Sequence, residues 1–210
     1  AGWGTAIYLT LYMTIIPFFI GGILGFIAGL LLVLTGPRGI LENRLVFFVL
    51  DKVTSIFRAI PFIILLALIN PFTRIIVGTG IGPTAALVPL SLAVFPFFAR
   101  QVQVVLSELD RGVIEAAQAS GATFWDIVGV YLREGLPDLI RVTTVTLISL
   151  VGETAMAGAI GAGGLGNVAL TYGYQRFNHD VTILATILIL LLIFFIQFVG
   201  DFLTRKISHR

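Results

Sequence analysis

The residue with the clearest potential for chemistry in this 210-residue chain is Glu153, an acid within the apolar sequence GETAM at 152–156. A carboxyl group inside a hydrophobic span is costly, so its presence there suggests a function. We interpret Glu153 as lining a pathway, where it would attract an ammonium group or remain protonated and hydrogen-bonded. The alternative is a structural hydrogen bond to Thr154 or to a facing helix.

Other residue types that carry catalysis or bind metals are sparse. The chain has no cysteine, which excludes disulfides and thiolate ligands, and its two histidines are far apart in sequence. It contains no GxxxxGK[ST] phosphate loop, and the sequence GAGGLG at 161–166 neither follows a strand nor opens a nucleotide-binding fold. We therefore predict no metal centre and no enzyme site, and we assign these glycines to an outer loop or re-entrant segment.

The composition of the chain indicates that Glu153 lies in one of several membrane-spanning helices. Hydrophobic residues make up 58% of the chain and charged residues only 11%, and the mean hydropathy is +1.05. A helix needs about 20 mostly apolar residues to cross a bilayer. The sequence therefore predicts an all-α membrane protein with one transmembrane domain over 1–210 and spans near 6–34, 47–68, 80–103, 137–156 and 181–203.

The basic residues give the chain an orientation. Of the 13 lysines and arginines, 11 fall on one side of this topology and only Arg74 and Arg176 on the other. Because basic residues are retained in cytoplasmic loops, the N-terminus is expected outside and the C-terminus in the cytoplasm. The net charge is +2, and the basic residues are scattered along one membrane face rather than clustered in a patch. No nucleic-acid partner is therefore predicted.

Small residues in the first span predict a close helix contact. Gly21, Gly25 and Gly29 recur every fourth residue, which leaves one face of the helix almost without side chains. The face would serve either packing within the bundle or a contact between subunits. Pro17 is expected to kink the same helix.

The segment 107–137, on the cytoplasmic side, contains the sequence EAAQASGA at 115–122. Its alanines favour a short helix with a small surface that can enter a groove. Gly121 suits a left-handed stop to that helix, and Thr123 with Asp126 offers a capping box for the next one. The segment is thus predicted to form a helix, a glycine turn and a second helix.

This pattern resembles the cytoplasmic EAA loop of the permease subunits of binding-protein-dependent ABC importers. The sequences FRAIPFIILL at 57–66, PFTRIIVGTGIG at 71–82, GAGGLG and YGYQRFN at 172–178 are similar to those of methionine importer permeases, over nearly the whole chain. The resemblance implies a coupling helix that docks in a groove on an ATPase, through Glu115, Ala116, Ala117, Gly121 and Ala122.

The same resemblance implies the rest of the assembly. A homodimer of five-helix subunits would lie in the cell membrane, bind two ATPase subunits, and receive D- or L-methionine from an extracytoplasmic binding protein. This chain would hold no cofactor, because ATP-Mg acts in the ATPase, and it would not be an enzyme. The alternatives are a permease for phosphonate or glycine betaine, an autonomous channel, or an intramembrane enzyme.

Four residues are candidates for the translocation pathway or gate, namely Glu153, Met156, Pro61 and Phe62. In the family, the methionine that corresponds to Met156 contributes to the gate, although methionine also serves as core filler. Pro61 predicts a broken second span, and such breaks often line transport pathways. Alternatively, Pro61 only shapes the bundle and Arg58 anchors the membrane interface.

One departure from the family concerns the second helix of the coupling segment. Arg133 stands where the family has the first proline of its LPEALP sequence. A proline disfavours helical backbone in the residue before it, so its absence could let this helix run farther.

Overall fold

The computed structural model describes residues 2–208, and over this range the chain forms helices joined by short connections. The connections between Ala157 and His179 include two π-helical stretches, Gly158–Ala162 and Val168–Tyr174. The α-helices are α1 (Gly2–Thr35), α2 (Arg44–Ala59), α3 (Phe62–Leu68), α4 (Asn70–Val77), α5 (Pro83–Ser107), α6 (Arg111–Ala119), α7 (Phe124–Ala157), α8 (Gly164–Asn167) and α9 (His179–Ser208).

Four of these helical segments are long and apolar enough to cross a membrane. They are α1, α5, α7 with its π-helical extension, and α9. Each corresponds to one of the predicted spans, so the all-α membrane fold is confirmed. Arg210, one of the basic residues assigned to the inner side, lies outside the described residues.

The predicted span at 47–68 is divided into α2 and α3. Ile60 has φ −75° and ψ 122°, an extended conformation, and Pro61 then precedes the first residue of α3. Proline has no N–H group and disfavours helical backbone in the residue before it, so the helix ends at Ala59. The break at Pro61 expected from the sequence is present.

Helix α7 is longer than the predicted span at 137–156. It begins at Phe124 behind a capping box, in which Thr123 Oγ1 accepts a hydrogen bond from Asp126 N–H and Asp126 Oδ2 accepts one from Thr123 N–H. The helix then continues through Pro137 to Ala157. Arg133 lies in the third turn, and the segment 107–137 and the fourth span are joined by this one helix.

The centre of the fold is the contact between α1 and α5. A Cβ added to Gly21, Gly25 or Gly29 would lie 2.5, 2.7 or 2.6 Å from the carbonyl oxygen of Ser91, Phe95 or Ala99, respectively, closer than any side chain tolerates. The stripe of small residues therefore serves packing within this chain, one of the two uses considered from the sequence.

The glycine-rich sequence at 161–166 packs against α1 near its N-terminus. Gly161, Gly163 and Gly164 have positive φ values, which interrupt the helical path. The N–H of Leu165 donates a 2.8 Å hydrogen bond to Thr10 Oγ1. This end of the molecule is built from irregular backbone held by α1.

Candidate functional site

Helix α6 is a nine-residue element with both ends capped. Asp110 Oδ1 accepts a 2.9 Å hydrogen bond from the N–H of Gly112 at the start. At the end, Gly121 has φ +80°, its N–H donates to Gln118 O, and the N–H of Ala122 donates to Ala117 O. These two bonds form a Schellman motif, so the left-handed stop predicted at Gly121 is confirmed.

One side of α6 is anchored and the other is free. Ile114 is buried and belongs to the same apolar cluster as Ile127, Val128 and Tyr131 of α7. Glu115 and Ala116 are exposed, and Ala117 is half-buried. The structure therefore holds a short helix firmly on α7 and presents the EAA residues on its surface.

The loop after α1 lies beside α6. Arg111 donates a 2.7 Å hydrogen bond from its guanidinium to the carbonyl oxygen of Arg38. Between them is a cavity of about 140 Å³ whose lining includes Glu115 and Gln118. Two loops that the charge distribution assigned to the same membrane face thus meet at one end of the molecule.

Sequence reasoning missed Trp125 in this region. Its side chain is 76% exposed and its ring meets that of Phe124 edge-on, with centroids 5.1 Å apart. Large exposed aromatic rings beside a docking element are typical of interface anchors. The available signal was the pair of aromatic residues directly after Thr123.

A second feature is a cavity of about 580 Å³ between the α2–α3 break and α7. All four candidate pathway residues line it: Pro61, Phe62, Glu153 and Met156. Met156 is 48% exposed and Glu153 is half-buried. The structure thus brings together residues almost a hundred positions apart in the sequence.

Polar contacts fix α2, one wall of this cavity, on α5. The guanidinium of Arg100 donates a 2.8 Å hydrogen bond to Asp51 Oδ1 and a 2.7 Å bond to Ser55 Oγ. The Arg100–Asp51 pair is largely shielded from solvent. It holds α2 laterally, whereas the break at Pro61 leaves the chain free to change direction at the cavity.

The carboxyl group of Glu153 has a buried oxygen that is left unpaired in the described part of the chain. Within residues 2–208, no hydrogen-bond partner contacts its buried Oε2 atom. Thr154, the alternative partner considered from the sequence, instead donates a 2.6 Å bond to the carbonyl oxygen of Val151. Glu153 therefore places a carboxyl group with an unpaired, buried oxygen in the wall of this cavity.

Other lining residues could not be assigned from sequence. Phe57 and Phe97 supply aromatic walls, and Ser149 lies one helical turn before Gly152 and Glu153. The spacing of Ser149, Gly152, Glu153 and Met156 along one face of α7 was the available signal. Phe57 and Phe97 come from other helices, and nothing in the sequence indicated that they would line the cavity.

The chain thus combines a bundle of apolar helices, a short capped helix exposed at one end, and a cavity lined by an unpaired acid. The family described as "Binding-protein-dependent transport system inner membrane component" matches residues 21–209. The chain belongs to this family, and it is a multi-pass permease component rather than an enzyme.

Individual relatives support the same placement. The probable D-methionine transport system permease protein MetI of Haemophilus influenzae is 47% identical over 212 residues, covering 99% of this chain and 100% of that protein. The methionine import system permease protein MetP of Bacillus subtilis is 49% identical over 181 residues, covering 86% of this chain and 82% of MetP.

The fold matches a solved transporter. A chain of the MetNI methionine ABC transporter in an inward-facing conformation superposes with a TM-score of 0.95 and 44% identity, covering 98% of this chain and 96% of that one. A chain from an amino acid ABC transporter has the same fold at 18% identity and a TM-score of 0.78.

Proposed function

We propose that this chain is the permease subunit of an ATP-driven importer of methionine. Two copies form the translocation pathway, and each binds one ATPase subunit at the end that carries α6. A binding protein delivers the cargo to the opposite end, with the N-terminus outside and the C-terminus in the cytoplasm. ATP-Mg acts in the ATPase, and this chain needs no cofactor of its own.

The observation that carries the proposal is the geometry of α6. Both ends of α6 are capped and Ile114 packs it against α7, so the two helices should move together. Glu115 and Ala116 are exposed and remain free to enter a groove. The coupling surface consists of Glu115, Ala116, Ala117, Gly121 and Ala122. Movement of a docked ATPase would displace this surface together with the start of α7.

The 580 Å³ cavity is the proposed pathway, and Met156 is its gate. The thioether side chain is flexible and half-exposed at the cavity wall, which suits an adaptable apolar plug. Pro61 and Phe62 form the opposite wall, where the helix is already broken. Small rotations of either wall would open or close the space between them.

The methionine assignment is supported by the names of the relatives and by the cavity. The relatives described above are named for methionine transport. An unpaired carboxyl group repels a phosphonate but attracts an ammonium group. Aromatic and aliphatic walls suit an apolar side chain.

Uptake by the complete complex tests this function. The permease, its ATPase and its binding protein are reconstituted in proteoliposomes, and ATP-dependent uptake of labelled L-methionine, D-methionine, glycine betaine and a phosphonate is compared. We expect uptake selective for methionine. Selective uptake of another solute would overturn the cargo assignment, and flux that needs neither ATP nor the ATPase would overturn the importer assignment.

A further inference from the structure

The proposed pathway cavity contains one acid and one base. Glu153 on α7 and Arg58 at the end of α2 both line it. The other lining residues are apolar or aromatic, apart from Ser149 and Gly152. A carboxylate and a guanidinium in an otherwise mostly apolar cavity are complementary to a small molecule that carries one positive charge, one negative charge and an apolar group.

The two charges do not neutralise each other. The ion pairs within residues 2–208 are Arg100 with Asp51 and Arg141 with Asp138, so the Glu153 and Arg58 side chains lie beyond 4.0 Å of each other. No group in this range bonds Oε2 of Glu153, an atom buried in the cavity wall, and Arg58 is exposed without a side-chain hydrogen bond to the rest of the described chain. Neither charged group is therefore committed to a partner within the described chain.

We propose that Glu153 and Arg58 form a zwitterion site that holds an amino acid during its passage through the permease. Glu153 accepts hydrogen bonds from the ammonium group, and the planar guanidinium of Arg58 donates to the carboxylate. The apolar side chain of the amino acid lies against Phe62 and Met156. This inference rests on the proposed function, and it adds the residues that select the charge pattern of the cargo.

Binding to the permease–ATPase complex without its binding protein tests the site. Labelled L-methionine competes with methionine methyl ester, which lacks the carboxylate, and with N-acetylmethionine, which lacks the ammonium group. For Glu153→Gln we expect about tenfold weaker binding of methionine and of the ester, with N-acetylmethionine unaffected. For Arg58→Gln we expect about tenfold weaker binding of methionine and N-acetylmethionine, with the ester unaffected.

Matched controls are available on α7, where Glu134 and Arg133 are exposed and distant from the cavity. Glu134→Gln and Arg133→Gln should bind all three compounds like the wild type. Glu153→Asp keeps the charge and should retain the preference for an ammonium group, which separates loss of charge from loss of fold.

Two results would overturn the zwitterion site. One is unchanged or uniformly weakened binding of all three compounds by Glu153→Gln and Arg58→Gln. The other is a wild-type complex that imports methionine but shows no direct binding of it. Failure of the wild type to import methionine with its binding protein would instead contradict the proposed function.

Discussion

At the scale of single residues, Glu153 shows what a sequence can and cannot reveal. An acid in an apolar span is conspicuous, and its functional interpretation follows from the cost of burying it. Its surroundings are not local: Arg58, Phe57 and Phe97 come from α2 and α5, and they meet Glu153 only because the helices pack. Sequence therefore identified the acid but not the cavity.

Met156 supplies a prediction at this scale. Met156→Ala removes most of the side chain at the cavity wall, so methionine should leak through the complex without ATP. Efflux of labelled methionine from preloaded proteoliposomes in the absence of ATP measures this leak, and we expect it to rise above the wild-type rate.

Met156→Leu is the matched control, because it nearly conserves volume and should keep the gate closed. Equal efflux from Met156→Ala and the wild type would show that Met156 is only a packing residue.

At the scale of elements, local signals were the most predictable. The capping box of Thr123 and Asp126, the left-handed Gly121 and the break at Pro61 each depend on a few neighbouring residues, and all three are present. The continuity of α7 through Pro137 was not predictable, since neighbouring helices in a bundle can compensate for the N–H group that proline lacks.

The packing of α1 on α5 shows the same limit. The spacing of Gly21, Gly25 and Gly29 predicted a close contact, but nothing in the sequence named its partner. The structure assigns the partner as α5, where Ser91, Phe95 and Ala99 repeat with the same four-residue period.

Gly25→Ala tests this packing. The new Cβ would meet the Phe95 carbonyl oxygen at 2.7 Å, and α1 and α5 would have to separate. Overpacking of this kind costs about 1–3 kcal/mol, so the apparent Tm of the purified complex should fall.

Gly22→Ala is the control, because its Cβ would meet only the ring of Phe18, at 3.9 Å. It should be neutral or gain up to about 1 kcal/mol from helix propensity. Equal melting temperatures for the two variants would contradict the close approach.

At the scale of the whole molecule, α7 connects the two candidate sites. It begins beside the coupling surface and carries Glu153 and Met156 at the cavity, and at 1.5 Å per residue the two regions are about 40 Å apart along one helix. We propose that this helix transmits displacement of α6 to the cavity wall, as a two-state gate requires.

The sequence indicated this connection only through Arg133, where the absence of a proline allows the helix to run farther. The predicted span at 137–156 was separate from the helix after Gly121, so the coupling segment and the pathway were otherwise two features without a link. The link exists because α7 is continuous from Phe124 to Ala157 and Ile114 packs with residues of α7 in one apolar cluster.

The central claim is that α6 couples ATP hydrolysis to transport through this permease. Gly121→Pro tests it, because proline cannot adopt φ +80° and removes the N–H that donates to Gln118. Gly121→Asn is the control, since asparagine tolerates the left-handed conformation.

The decisive measurement is the amount of methionine imported per ATP hydrolysed, in the same proteoliposomes, for the wild type and both variants. We predict that Gly121→Pro assembles and hydrolyses ATP but loses most of its uptake, whereas Gly121→Asn keeps the wild-type ratio. Full uptake by Gly121→Pro at the wild-type ratio would contradict the coupling role of α6.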